Sequence, residues 1–259
     1  MRTRIATTPW GDTLEIPAED RSGLGRSRET THLAALLRPG MTVVDVGAGI
    51  GFCTALFAHR TGPSGQVVAA EPHPENFELL QRNVTRNGYP NAQVVHAAVT
   101  TDSRARLTRS TTHHGRHSLH PGNVLNPQAG SLPVPAVTLD RLVCAAAAGD
   151  RAVDLLKVDV EGAELDVLRS GPAMLRTARR VWLEFWPDGL RAAGEDPVEV
   201  PVLLLRLGFE VVLCDLVTGA TLPVADGTEP LRHVDRMRPT LGPDGQGNPL
   251  PLVYLLATR

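Results

Sequence analysis

Residues 157–164 read KVDVEGAE, an amine and three carboxylates directly behind an apolar run. Side chains alternate along a strand, so Lys157 and Asp159 share one face near its C-terminal end. Glu161 follows the strand, and Glu164 falls early in the next helix, where the helix dipole favours a carboxylate. A carboxylate at this place can orient a hydroxyl or an amino group, and it becomes a useful base where burial raises its pKa. Asp159 and Glu161, with Glu184 of WLEFW as a third ligand, could alternatively hold Mg²⁺, which would lower a hydroxyl pKa directly. No established divalent-site pattern is spelled out, and the metal-free reading is preferred. Lys157 is the only lysine among 26 basic residues. Either a coding preference for Arg left it by chance, or the site needs a compact ammonium that a planar guanidinium cannot replace.

A second stretch, DVGAGIG at 45–51, ends an apolar β-branched run. Glycines there let backbone pass against a ligand with no Cβ in the way, and the following helix start offers free N–H groups. Glu71 ends the next predicted strand, twenty residues after Gly51, where a carboxylate can accept from both hydroxyls of a ribose. Asp45 could organise the turn or contact an ammonium. A dinucleotide fingerprint needs G-x-G-x-x-G/A; here the register is G-x-G-x-G, and Phe52 stands where the last small residue belongs. S-adenosylmethionine, with a ribose, an amino-acid end and no pyrophosphate, suits the pattern better than NAD.

Residues 113–120 read HHGRHSLH and hold four of the nine histidines. They can be an incidental part of a mobile lid, a metal-binding tract, or the source of a catalytic or substrate-binding imidazole, with His114 and His117 the first to test. Trp182, Phe185 and Trp186 concentrate aromatic area on one predicted strand; Trp182 reads as core, and Trp186 could wall a substrate pocket.

These residues need a scaffold, and the rest of the chain supplies one. Apolar runs (TVVDV, QVVAAE, AQVVHAAV, VDLLKVDV, RVWLEFW) alternate with helix-compatible sequence, and FEVVLCDL and LVYLLAT close the chain. That alternation predicts an α/β fold with a mostly parallel sheet covered on both faces. Residues 1–40 read as an N-terminal extension of helix and short strand, and 41–259 as one domain. Two Gly- and Pro-rich stretches, 109–133 and 218–250, read as long loops on the substrate side. A net charge of −2 without a basic run argues against a polynucleotide partner. Three scattered cysteines argue against a disulfide framework, and no run is long enough to span a membrane. With no signal-like N-terminus either, the expected location is cytoplasmic. Oligomeric state is not readable.

The blocks VVDVGAGIGFCTALFA, EPHPENFELLQRNV, AAVTTD, VTLDRL, LLKVDVEGAELDVLRSG and LEFWPDGL come in the order seen in FkbM-like class I methyltransferases, and the chain resembles that family over 43–190. The resemblance implies a Rossmann-like fold with a seven-stranded sheet, S-adenosylmethionine as methyl donor, and O-methylation of a sugar or polyketide-type hydroxyl. It puts Asp45, Gly47, Ala48, Gly49 and Glu71 around the cofactor, with Pro72, His73 and Asn76 of the E-P-x-P-x-N stretch lining the same pocket and Asp159 beside both cofactor and acceptor. Many such enzymes place an acid for the adenine amine after the third strand; here only Asp102 is nearby, and backbone around Ala97–Val99 could make the contact instead. An NAD-dependent oxidoreductase and a catalytically silent S-adenosylmethionine-binding module are the alternatives.

Overall fold

The structure, a computed structural model, describes residues 2–20, 28–110, 114–124, 130–145, 152–237 and 253–259. The chain opens with a hairpin of β1 (Thr3–Thr7) and β2 (Thr13–Pro17), then helix α1 (Arg28–Leu36). An alternating run follows: β3 (Thr42–Val46), α2 (Phe52–Thr61), β4 (Gln66–Ala70), α3 (Pro74–Arg86) and β5 (Ala92–Val95). Four short strands, β6 (Ala98–Val99), β7 (Arg106–Thr108), β8 (Ser131–Pro133) and β9 (Ala136–Val137), form an insertion. Alternation then resumes with α4 (Leu139–Ala145), β10 (Leu155–Val158), α5 (Glu164–Arg169), α6 (Pro172–Thr177), β11 (Arg180–Phe185), α7 (Pro187–Ala192) and α8 (Glu199–Arg206). The last elements are β12 (Glu210–Cys214), β13 (Thr221–Val224), α9 (Glu229–Met237) and β14 (Val253–Thr258).

Among the described residues the main sheet runs β13-β12-β14-β11-β10-β3-β4-β5. The five strands from β11 to β5 are parallel, while β14 lies antiparallel between β11 and β12. β3 and β10 are buried along their whole length because helices cover both faces, which is why their sequences read as continuous apolar runs rather than alternating ones. The largest core cluster joins these strands to α5, α6 and α8 through residues such as Val44, Leu156, Leu165, Leu183 and Leu204.

Three features differ from the sequence expectation. The sheet has eight strands rather than seven, because β13 adds an antiparallel edge beside β12. Pro223 made TLPV read as loop, yet an edge strand tolerates a missing N–H. Within the same stretch α9 buries Pro230, Val234 and Met237, one helical face spaced i, i+4, i+7. The run AQVVHAAV also breaks after Val95, and β6 turns away to pair with β9. No helix among the described residues is long and apolar enough to cross a membrane.

The N-terminal hairpin is tied to the rest of the chain by Asn83 of α3, which is fully buried. Its Nδ2 donates to the carbonyls of Ile50 (2.8 Å) and Glu15 (3.0 Å), and its Oδ1 accepts the Glu15 N–H (2.6 Å). One side chain thus fixes both β2 and the turn before α2. Asn83→Ala leaves these groups unpaired in a dry site, at a cost of about 2 kcal/mol. The expected result is a Tm lower by about 4–8 °C in thermal unfolding; an unchanged Tm would show that the tie is dispensable.

Candidate active site

The C-terminal ends of β3, β4 and β10 converge on a glycine turn. Gly47 has φ +78°, and a Cβ there would lie 1.8 Å from the Asp159 carbonyl oxygen, so only glycine lets the turn rest on the exit of β10. The Gly47 and Ala48 N–H groups both donate to the Ala70 carbonyl at the end of β4 (3.1 and 3.0 Å). Gly49, at φ +56°, faces open space instead. Its N–H donates to Glu71 Oε2 (2.8 Å), and the His73 N–H donates to Oε1 (2.8 Å). Burial pushes the Glu71 carboxyl up to about 7, against the pull of these two N–H donors.

The turn forms one wall of a cleft that is partly open to solvent. Gly47, Ala48, Gly49, Glu71, Pro72, Asn76, Lys157, Asp159, His114 and His117 all line it, so ten of the residues singled out in the sequence meet in one place. Asp45 and His73 do not reach the lining and stand behind it. Asp45 is fully buried at the back of the turn, where it accepts from Thr54 Oγ1 (2.7 Å). His73 is stacked on His117, with ring centroids 3.9 Å apart. Ala97, Ala98 and Val99 also line it, and Phe52, Cys53, Leu107, Leu119 and Glu161 are among the further lining residues. The apolar members of that last set carried no sequence signal separating them from core.

Lys157 lies between two carboxylates, with Nζ 3.5 Å from Asp45 Oδ1 and 3.3 Å from Asp159 Oδ2. Burial alone would lower the ammonium's pKa, but Asp159 and Asp45 outweigh it and hold the value well above the usual lysine range. The parallel register pairs Lys157 with Asp45, so the contact follows directly from how β10 lies beside β3. Glu29 of α1 adds a carboxyl behind this pair and accepts from Trp182 Nε1 (3.2 Å). Burial pushes Glu29 up to about 7, partly offset by Lys157. The sequence offered no hint of Glu29, since it lies in the N-terminal extension.

On the open side of the cleft, the insertion supplies the histidines. Asn76 Nδ2 donates to the His114 carbonyl (2.7 Å), and the His114 ring faces Asp20 at 3.7 Å. His117 Nδ1 accepts the Ser110 N–H (3.0 Å). His113 lies outside the described residues. Among the described residues no histidine belongs to a group with metal-ligand spacing. The group with such spacing is Asp159, Glu161 and Glu184, whose oxygens lie within 4.8 Å of one another. Burial first, and then the neighbouring carboxylates, push Glu161 up to about 8 and Glu184 well above its usual value. Trp186 does not wall the cleft; its indole packs over Gly189, where a Cβ would meet it at 2.2 Å. Trp182 is core, stacked on Tyr254.

Lys157→Met removes the counter-charge of a fully buried Asp45. The expected cost is about 3–5 kcal/mol in urea unfolding, because the remaining carboxylate is left uncompensated. Stability equal to wild type would contradict the pairing.

Comparison with known proteins adds the family. Over 86 residues, 30% of this chain, it is 37% identical to a protein-L-isoaspartate O-methyltransferase of Methanothrix thermoacetophila, covering 41% of that protein. A second such enzyme, from Methanococcoides burtonii, is 32% identical over 80 residues, 29% of this chain and 39% of its own length. The chain thus matches about two-fifths of the length of these curated relatives. Among solved structures, a SAM-dependent methyltransferase from Aquifex aeolicus superposes with a TM-score of 0.46 at 16% identity, covering 93% of both chains. The Methyltransferase FkbM domain profile matches residues 45–211, a span from the glycine turn through β10 and β11 to β12 that takes in well over half of the sequence, and the chain belongs to that family.

Proposed function

We propose that the protein is an S-adenosylmethionine-dependent O-methyltransferase whose acceptor is a hydroxyl of a small molecule, of the sugar or polyketide class. The observation that carries this reading is a single cleft joining a nucleoside-type cradle, Gly49 with Glu71, to carboxylates at the exit of β10. Family membership removes the reason to keep an oxidoreductase as the alternative.

The residues present fit the donor. Gly49 leaves open space where a side chain would otherwise stand, and Glu71 offers its carboxylate to ribose hydroxyls. Ala97–Val99 offer backbone and small side chains to the adenine. When bound, the donor supplies an electrophilic sulfonium methyl group. Asp159 stands where donor and acceptor meet and orients either an amino group or the hydroxyl. Lys157 acts from beneath, fixing Asp159 and Asp45 in place. His114 and His117 border the acceptor and exclude water from it. Alignment of the oxygen with the methyl carbon is the main contribution such a site makes.

Incubation with methyl-labelled S-adenosylmethionine and a panel of hydroxylated sugars and polyketides, with and without EDTA, tests the reading. The expected result is a product heavier by CH₂, formed equally in EDTA. Methylation of protein or RNA alone would overturn the acceptor class. Binding gives a second test through Glu71. Ribose hydroxyls need the ionised carboxylate, and its pKa is raised to about 7, so affinity is full above that value and falls below it. Calorimetry should find S-adenosylhomocysteine bound about tenfold more weakly at pH 6 than at pH 8. Glu71→Gln should bind weakly at both; a wild-type affinity independent of pH would contradict the assignment.

A further inference from the structure

We infer that residues 114–123 of the insertion bridge the donor cradle to the exit of β10, and that His73 and Asn76 are positioning residues through which donor binding seats the acceptor side of the cleft. The inference rests on the methyl-transfer reading above and adds a coupling between the two halves of that site.

At the cradle end, the groups that hold Glu71 also hold the insertion. Asn76 is buried in the first turn of α3 and lines the cleft. Its Nδ2 donates to the His114 carbonyl (2.7 Å), and the same side chain hydrogen-bonds the Glu71 carboxyl. His73 gives its backbone N–H to Glu71 Oε1 (2.8 Å), while its ring lies flat on His117, with centroids 3.9 Å apart and planes 12° apart. Each of these residues therefore carries one contact to the carboxyl that faces the ribose and one contact to the insertion.

At the other end, the residue next to His117 continues the run. Ser118, fully buried, donates from Oγ to the Glu161 carbonyl (2.8 Å). Asn123 Nδ2 donates to the same oxygen and to the Gly189 carbonyl of α7, both at 3.0 Å. Glu161 is the one non-glycine residue with positive φ among the described residues, at +54°. Local sequence does not favour that conformation, so what packs on it must hold it. A Cβ on Gly162 would lie 2.0 Å from Asn123 Nδ2, which leaves no slack between the bridge and this turn. Glu161 lines the cleft beside Asp159. Glu71, His73, His117, Ser118 and the Glu161 backbone thus form one continuous run of contacts from the ribose side to the acceptor side.

Ribose hydroxyls bind Glu71 best when both of its partners are in place, and the seated insertion keeps them there. A ligand that prefers one of two arrangements shifts the population toward it, and the preference is reciprocal. Donor binding therefore seats the bridge, and the seated bridge fixes the Glu161 turn against the acceptor.

Hydrogen exchange read by mass spectrometry tests this without an acceptor. Residues 120–124 line no part of the cleft, so a change there is not direct contact with the ligand. Their amides are bonded within the bridge: the His120 N–H donates to Ser118 Oγ (3.1 Å) and the Asn123 N–H to the His120 carbonyl (3.0 Å). Saturating S-adenosylhomocysteine should slow exchange in 120–124 by about tenfold in wild type. His73→Ala and Asn76→Ala should each shrink that difference, and the double variant H73A/N76A should abolish it. A merely structural role would raise exchange with and without ligand alike and leave the tenfold difference in place, which would overturn the assignment of these two residues. Wild type that binds S-adenosylhomocysteine with no slowing in 120–124 would overturn the inference and leave the methyl-transfer reading standing. Wild type that does not bind it would overturn that reading and the inference with it. For an acceptor found in the screen, calorimetry should show about tenfold tighter binding to wild type saturated with S-adenosylhomocysteine, a gain the double variant loses; equal affinity with and without the ligand would contradict the coupling.

Discussion

The ammonium of Lys157, buried between the carboxylates of Asp45 and Asp159, is the interaction on which the site depends. A charge inside two otherwise apolar strands is tolerable only where it is paired, and a pair this close leaves little freedom in register. The β3–β10 alignment, the glycine turn resting on the Asp159 carbonyl, and the position of the Asp159 side chain are therefore one arrangement rather than three. A slip of one residue between these strands would turn Lys157 to the other face and leave Asp45 uncompensated. A guanidinium is longer and planar, so an arginine here would have to seat a different shape in the same buried gap.

Around this centre, elements far apart in sequence each contribute a contact. α1 brings Glu29 behind the lysine, the segment after the N-terminal hairpin brings Asp20 to His114, and the insertion between β5 and α4 brings His117, Ser118 and Asn123. The carboxyls of Glu29, Glu71, Glu161, Glu164 and Glu184 are all pushed upward by burial. Buried acids gathered in one region are the pattern expected of a functional site.

The parts legible in the sequence were those with local physics. A glycine turn after an apolar strand, an acid at the end of the next strand, and the alternation of strand and helix all depend on neighbours within about twenty residues. The placements of Asp45 and His73 were less legible, because whether a side chain faces the ligand or the layer behind it is decided by packing across the sheet. The hydrogen bonds that Ser118 Oγ and Asn123 Nδ2 donate to the Glu161 carbonyl were not legible at all: both residues lie about forty positions away in a stretch that reads as loop. β13 and α9 were hidden by Pro223, Pro230 and the surrounding polar residues, which mark turns in general but are tolerated at a sheet edge and in a first helical turn.

The most direct test of the central claim is a double-mutant cycle on S-adenosylhomocysteine affinity, measured by calorimetry for wild type, Lys157→Met, Asp159→Asn and the pair. If Lys157 shapes the cofactor site by holding Asp159, the two substitutions are non-additive by about tenfold or more, and the double variant binds no more weakly than the worse single one. Strict additivity would mean that the two residues act independently and would contradict the account.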